Sequence, residues 1–172
     1  IRNAHVVPCA GPELEKGDIL VRGGRIVAVG AGINAPADVP VKDASGAWAL
    51  PGFVLAHTSD GMDRPNEVVP VTPYVSVLDA IDPTQPFFED SLRDGHLTMF
   101  VLPGNATVIG GIGRIVNPRG VTVEAMTVAP DAGMKFSLVP PNGNRASHLA
   151  KLRNALDDAR QHLEKKKRDA EG

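Results

Sequence analysis

Three short apolar-rich runs constrain this chain more than any other feature: residues 53–57 (FVLAH), 97–102 (LTMFVL) and 134–139 (MKFSLV). Each is strand-length and rich in residues that suit a pleated surface. FVLAH is continuous in its apolar character until His57, and all three runs read as strands of the buried type. A polar residue at the C-terminal end of such a strand is placed where a site opens. Crossover material lies between the runs, as a parallel α/β architecture requires. Strands buried on both faces need cover, and the chain supplies only one long helix to give it.

The first fifty residues have a different texture. Residues 18–22 (DILVR) and 25–29 (RIVAV) are β-rich and flank Gly23-Gly24. A two-residue glycine loop admits positive φ at both positions, which predicts a hairpin. Residues 1–7, 39–43 and 47–50 are further strand candidates, and Pro36, Pro40 and Pro51 push them toward sheet edges. Past Pro51-Gly52, residues 58–86 read as loop. Residues 86–94 (PFFEDSLRD) read as a short helix with proline in its first turn and Gly95 as its stop. Residues 103–120 carry five glycines. Gly110-Gly111-Ile112-Gly113 lacks the Lys-Ser/Thr of a phosphate-cradling loop and is expected to be a structural tight turn. From Ala146 to about Arg168 there is neither Gly nor Pro. Leu149, Leu152, Leu156, Ala159 and Leu163 form one apolar stripe there, so a helix packed on its own domain or on a partner is expected. Ser147 is its candidate N-cap. Lys165, Lys166, Lys167 and Arg168 suit the negative end of a helix dipole and are expected to be solvated.

Composition removes several function classes. The chain has 172 residues, with 18 Lys+Arg against 20 Asp+Glu, for a net charge of −2. That balance excludes a dedicated nucleic-acid binder, which carries a basic excess. No apolar run approaches the roughly 18–20 residues of a membrane helix. Neither nucleic acid nor membrane is therefore expected as a partner. One cysteine, Cys9, excludes an internal disulfide framework and a cysteine-based zinc site; it is expected to be a small packed hydrophobe. Nothing in the sequence marks a compartment, and a cytoplasmic one is taken as the expectation. Ile1 rather than Met stands first, which suits a trimmed or processed chain.

Four segments in order resemble the front end of a metal-dependent amidohydrolase, in the imidazolonepropionase-like branch. They are LEKGDILVRGGRIVAVGAGI, VKDASGAWALPGFVLAHTSDG, VLDAIDPTQPFFEDSLRDGHLTMFVLPGNATVIGGIGRIV and AGMKFSL. The resemblance covers nearly everything from Ile1 to about Arg145. It implies a small β-sandwich followed by a (β/α)8 barrel, and hydrolysis of a non-peptide C–N bond in a cyclic amide or N-acyl group. It also implies a His-x-His pair gripping a divalent metal, which activates bound water. Here that pair reads His57-Thr58-Ser59. His57 matches the first ligand, while Ser59 supplies a hydroxyl, a poor substitute for imidazole toward zinc. Leu55 stands where the family often has an acidic residue, and 139–142 (VPPN) stands where the branch often has Gly-Glu-Asn. A full barrel takes about 250 residues, and the chain has about half of that beyond its sandwich-like part. The later ligands fall outside it.

The expected fold is therefore α/β: a β-sandwich-like domain over 1–50, a partial barrel over 51–145, and an amphipathic helix with a basic end over 146–172. The expected function is that of an amidohydrolase-like subunit or fragment, catalytically degenerate, serving binding or assembly. The alternative is one part of an active metal-dependent hydrolase completed by another polypeptide. No cofactor is expected in the chain alone, and zinc or another divalent metal if a partner completes it. The partner would be a chain carrying the remaining barrel, an active paralogue, or a second copy. Asp60 and Asp63 are expected to serve turns rather than to ligate. His5, His96, His148 and His162 form no ligand cluster by spacing.

Overall fold

A computed structural model of the protein describes residues 1–140 and 144–171. The chain divides into two compact units, Ile1–Gly52 and Phe53–Gly172.

The first unit is a four-stranded sheet ordered β3-β2-β1-β4, from β1 (Ala4–Val6), β2 (Leu14–Arg22), β3 (Arg25–Gly30) and β4 (Trp48–Ala49). β2 and β3 form the expected hairpin, closed by Arg22 opposite Arg25. Gly23 and Gly24 have φ of 56° and 74°, a region that glycine enters without strain. β1 runs antiparallel to β2 and parallel to β4. Residues 39–43 do not form the expected strand; only an isolated bridge joins Asp43 to Arg2. Pro40 has no N–H to give a ladder. The buried Asp18 ties the unit together, accepting hydrogen bonds from the Asn3 and Ile33 amides, each 3.1 Å. Cys9 is exposed, not packed: it follows Pro8 in the connection between β1 and β2, with φ of 58°.

The second unit is a mixed sheet ordered β5-β6-β7-β8, from β5 (Phe53–Thr58), β6 (His96–Val101), β7 (Ile109–Val116) and β8 (Thr127–Phe136). β5 and β6 are parallel, joined by a long loop, a 3-10 turn (Val77–Asp79) and helix α1 (Pro86–Arg93). Pro86 begins α1, and Gly95, at φ 83°, follows its end. β6–β7 and β7–β8 are antiparallel, so among the described residues of this unit's sheet the expected succession of parallel strands is met by the β5–β6 pair alone. The core gathers Met62, Val77, Ile81, Phe88, Met99, Val101, Val116 and Met126 beneath α1 and the short helix α2 (Val123–Met126).

The glycine-rich stretch corrects the sequence reading. It is not a tight turn but the buried strand β7, and Gly110, Gly111 and Gly113 do not have positive φ. Their reason is close approach. A Cβ on Gly111 would land on the Val75 carbonyl oxygen and lie 3.0 Å from its carbon. A Cβ on Gly113 would lie 2.8 Å from both the Val101 oxygen and Phe100 Cε2. Backbone passes where side chains elsewhere would sit.

The buried-type reading of the outer strands is also corrected. β5 lies at one edge with Phe53 56% and Val54 70% exposed. β8 lies at the other edge and is inverted: Met134, Phe136 and, beyond its end, Leu138 face outward, while Lys135 is half-buried and Ser137 buried. Helix α3 (Arg145–Glu171) begins earlier than expected, so Asn144 rather than Ser147 caps it, accepting from the Ser147 amide at 3.1 Å. Its stripe is covered only at the start. Leu149 and Leu152 are half-buried, while Leu156 and Leu163 are 48% and 60% exposed. Lys165, Lys166, Lys167 and Arg168 are exposed as expected. No described helix is long and apolar enough to cross a membrane.

Candidate functional site

His57 sits in the penultimate position of β5, exposed at the strand's C-terminal end. β5 stops at Thr58, so Ser59 lies just past it, half-buried, in the turn to Gly61. The turn is self-contained: the Asp60 amide donates to Thr58 Oγ1 at 3.0 Å. The side chain that holds this turn is Thr58, and Asp60 gives it a backbone amide. Asp63 instead lines a cleft of about 290 Å³ together with Met62, Arg64, Asn66, Ser76 and Pro103.

The residue that meets His57 is one the sequence reading did not single out. Lys135 Nζ lies 2.9 Å from His57 Nε2 and donates a second hydrogen bond to the Pro103 carbonyl at 2.8 Å. The two residues belong to opposite edge strands. A flat four-stranded sheet would hold β5 and β8 roughly 14 Å apart. The sheet coils instead, through register shifts between Ile109 and Ile112 and between Gly113 and Ile115, where glycine lets the backbone bend. That curvature carries the inward face of β8 over to the end of β5.

The electrostatics follow from this pairing. An ammonium has only donors, so the imidazole accepts through Nε2, which makes His57 the Nδ1-protonated tautomer. Partial burial, then the neighbouring Lys135 charge, hold the His57 pKa below its ordinary value. Burial likewise lowers that of Lys135. A neutral ring beside an ammonium is the consistent state of the pair.

The remaining histidines stand apart. His148 is buried and hydrogen-bonded to the Ser137 carbonyl at 2.8 Å. His5 stacks on Trp48 with ring centroids 3.8 Å apart and meets Glu13 at 3.0 Å. His96 packs against Phe53 with ring centroids 5.9 Å apart. Among the described residues, no three of His, Cys, Asp and Glu gather so as to hold a metal ion. His57 is the one member of the implied His-x-His pair in the sequence, and its Nε2 already has a cation on it. The residues present do not by themselves fit a zinc centre.

No family model matches the chain. It is 47% identical over 60 residues to an N-acyl-D-aspartate deacylase of Alcaligenes xylosoxydans xylosoxydans, a stretch that is 35% of this chain and 12% of that protein. It is 39% identical over 62 residues to a 5-methylthioadenosine/S-adenosylhomocysteine deaminase of Thermococcus kodakarensis, 36% of this chain and 14% of that protein. Among solved structures, an amidohydrolase from Thermotoga maritima MSB8 matches with a TM-score of 0.87 at 28% identity, over 96% of this chain and 48% of that one. The chain thus spans about half the length of the solved relative, and a far smaller part of the two named enzymes. These likenesses point to the amidohydrolase superfamily. The mixed α/β fold, with two sheets and a C-terminal helix, matches part of an amidohydrolase.

Proposed function

We propose that this chain is an amidohydrolase-like assembly module: a degenerate front portion of the barrel enzyme, kept to bind another chain rather than to hydrolyse. The observation that carries the reading is the inverted edge strand. Met134, Phe136, Leu138 and Val139 are all bare, at 37%, 47%, 58% and 61% exposure. Phe53 and Val54 are bare on the opposite edge. Open apolar edges associate unless something covers them. Ser59 in place of a second imidazole supports the degenerate half of the reading.

The experiment is sedimentation of the 172-residue chain at micromolar concentration, alone and after co-expression with candidate partners. Self-association alone, or a stoichiometric heteromer, supports the proposal. A compact monomer that unfolds cooperatively and binds no apolar dye would overturn it.

A second reading has one observation in its favour. His57 stands exposed at a strand end, where the first ligand of a metal-dependent hydrolase would stand. In that reading another polypeptide completes the barrel and supplies the missing ligands, and the substrate is a cyclic amide or N-acyl compound. Zinc in the purified heteromer but not in the separated chain would favour it.

A further inference from the structure

His57 stands exposed at the end of β5, and its Nε2 is held. Lys135 Nζ lies 2.9 Å from it, and the same ammonium is anchored to the Pro103 carbonyl at 2.8 Å. Two separate acceptors, from β5 and from the segment after β6, converge on one cation carried by β8. A divalent metal would bind His57 through the same lone pair that the ammonium now uses. It would also come to rest against a positive charge that the Pro103 carbonyl keeps in place.

We propose that Lys135 is a built-in cation that takes the place of a divalent metal at His57, tying the two edge strands together by a side-chain ammonium where the resemblance implies a metal ion. Ser59 fits this arrangement. With a lysine as the cation, a second imidazole beside His57 has no role to fill, and a hydroxyl is tolerated. Position 135 is set for the task by the fold: it is an inward-facing place on an edge strand whose alternate residues face out, and the coil of the sheet brings it over β5. The proposal deepens the degenerate reading by naming what replaced the metal. Its test reads His57 directly, so it can fail while the assembly reading stands, and the reverse.

The test is nuclear magnetic resonance of the full chain with labelled histidine rings, the His57 signal being assigned through His57→Gln. In the parent, His57 should be the tautomer with a bare Nε2 and a protonated Nδ1. Ni²⁺ is then titrated, with His162, an exposed ring on α3, as internal reference. A nitrogen that must first give up a charge-assisted hydrogen bond should need roughly tenfold more metal, or beyond. His162 should therefore broaden well before His57 in the parent, and the two should broaden together in Lys135→Met. An Nε2-protonated His57, or equal broadening in the parent, would overturn the proposal without any variant. Equal protection of His57 in Lys135→Met and parent would overturn it too.

Discussion

Replacing Gly111 with alanine adds one methyl group at the point where β7 runs against residues 71–77. The added carbon meets backbone, not a flexible side-chain tip: the Val75 carbonyl lies in its path, with Val75 Cβ 3.3 Å away. The same contact carries the hydrogen bond from the Ile112 amide to the Val75 oxygen, 2.7 Å. Relief requires β7 and the loop to part, which stretches that bond. Overpacking a fitted site costs about 1–3 kcal/mol, and a lost backbone hydrogen bond about 1 kcal/mol more. The sum is roughly 2–4 kcal/mol, a large part of the stability of a small domain. Gly30→Ala is the matched control, since it sits in a strand with nothing within 4 Å of the added carbon. It should be neutral, or slightly stabilising through the unfolded state. The assay is urea unfolding followed by circular dichroism, with hydrogen exchange of the β7 amides locating the change. Gly111→Ala within about 0.5 kcal/mol of the parent would refute the close approach and return the stretch to a turn.

Two further outcomes are expected. Gly23→Val should destabilise the hairpin by about 1–2 kcal/mol, because a β-branched residue is strained at φ 56°; loss of β2–β3 amide protection in hydrogen exchange checks it. His57 has its pKa lowered in the folded chain by partial burial first and by Lys135 second. The unfolded chain therefore binds the proton first as pH falls. Stability is complete above about pH 6.5 and is lost as pH drops through the lowered folded value. Urea midpoints between pH 5 and 7.5 should fall toward acid in the parent and flatten in His57→Gln.

The elements legible in the sequence are those set by local chemistry. Gly23-Gly24 needs only its own backbone freedom to close a hairpin. Pro86 and Gly95 bracket α1 by what proline and glycine do at helix ends. The α3 stripe follows from helical period alone. What escaped is set at a distance. FVLAH reads as a doubly buried strand, yet burial depends on neighbours, and among the described residues β5 pairs on its β6 side alone. Gly110, Gly111 and Gly113 read as a turn because glycine permits turns, but here it permits close approach: Gly111 to the Val75 backbone, Gly110 to Pro103, and Gly113 to Phe100, Val101 and Leu102. The candidate site was half legible: His57 and Ser59 lie together in the sequence, whereas Lys135 is 78 residues from His57. One signal could have found it. MKFSL alternates with period two, which puts Lys135 and Ser137 on the face opposite Met134, Phe136 and Leu138. Ser147 reads as a cap when the helix is counted from Ala146, whereas Asn144, next to Gly143 in the sequence, is the side chain that accepts from the first turn.

The chain has an amidohydrolase-like frame, and a lysine stands at His57 Nε2, the nitrogen to which the resemblance assigns the first metal ligand. The most direct measurement is zinc titration of the purified 172-residue chain against a chromogenic chelator, with elemental analysis of the same sample. The expected result is no stoichiometric zinc in the parent or in Ser59→His, because a second imidazole leaves both the later ligands and Lys135 unchanged. One tightly held zinc per parent chain, lost in His57→Gln, would contradict it.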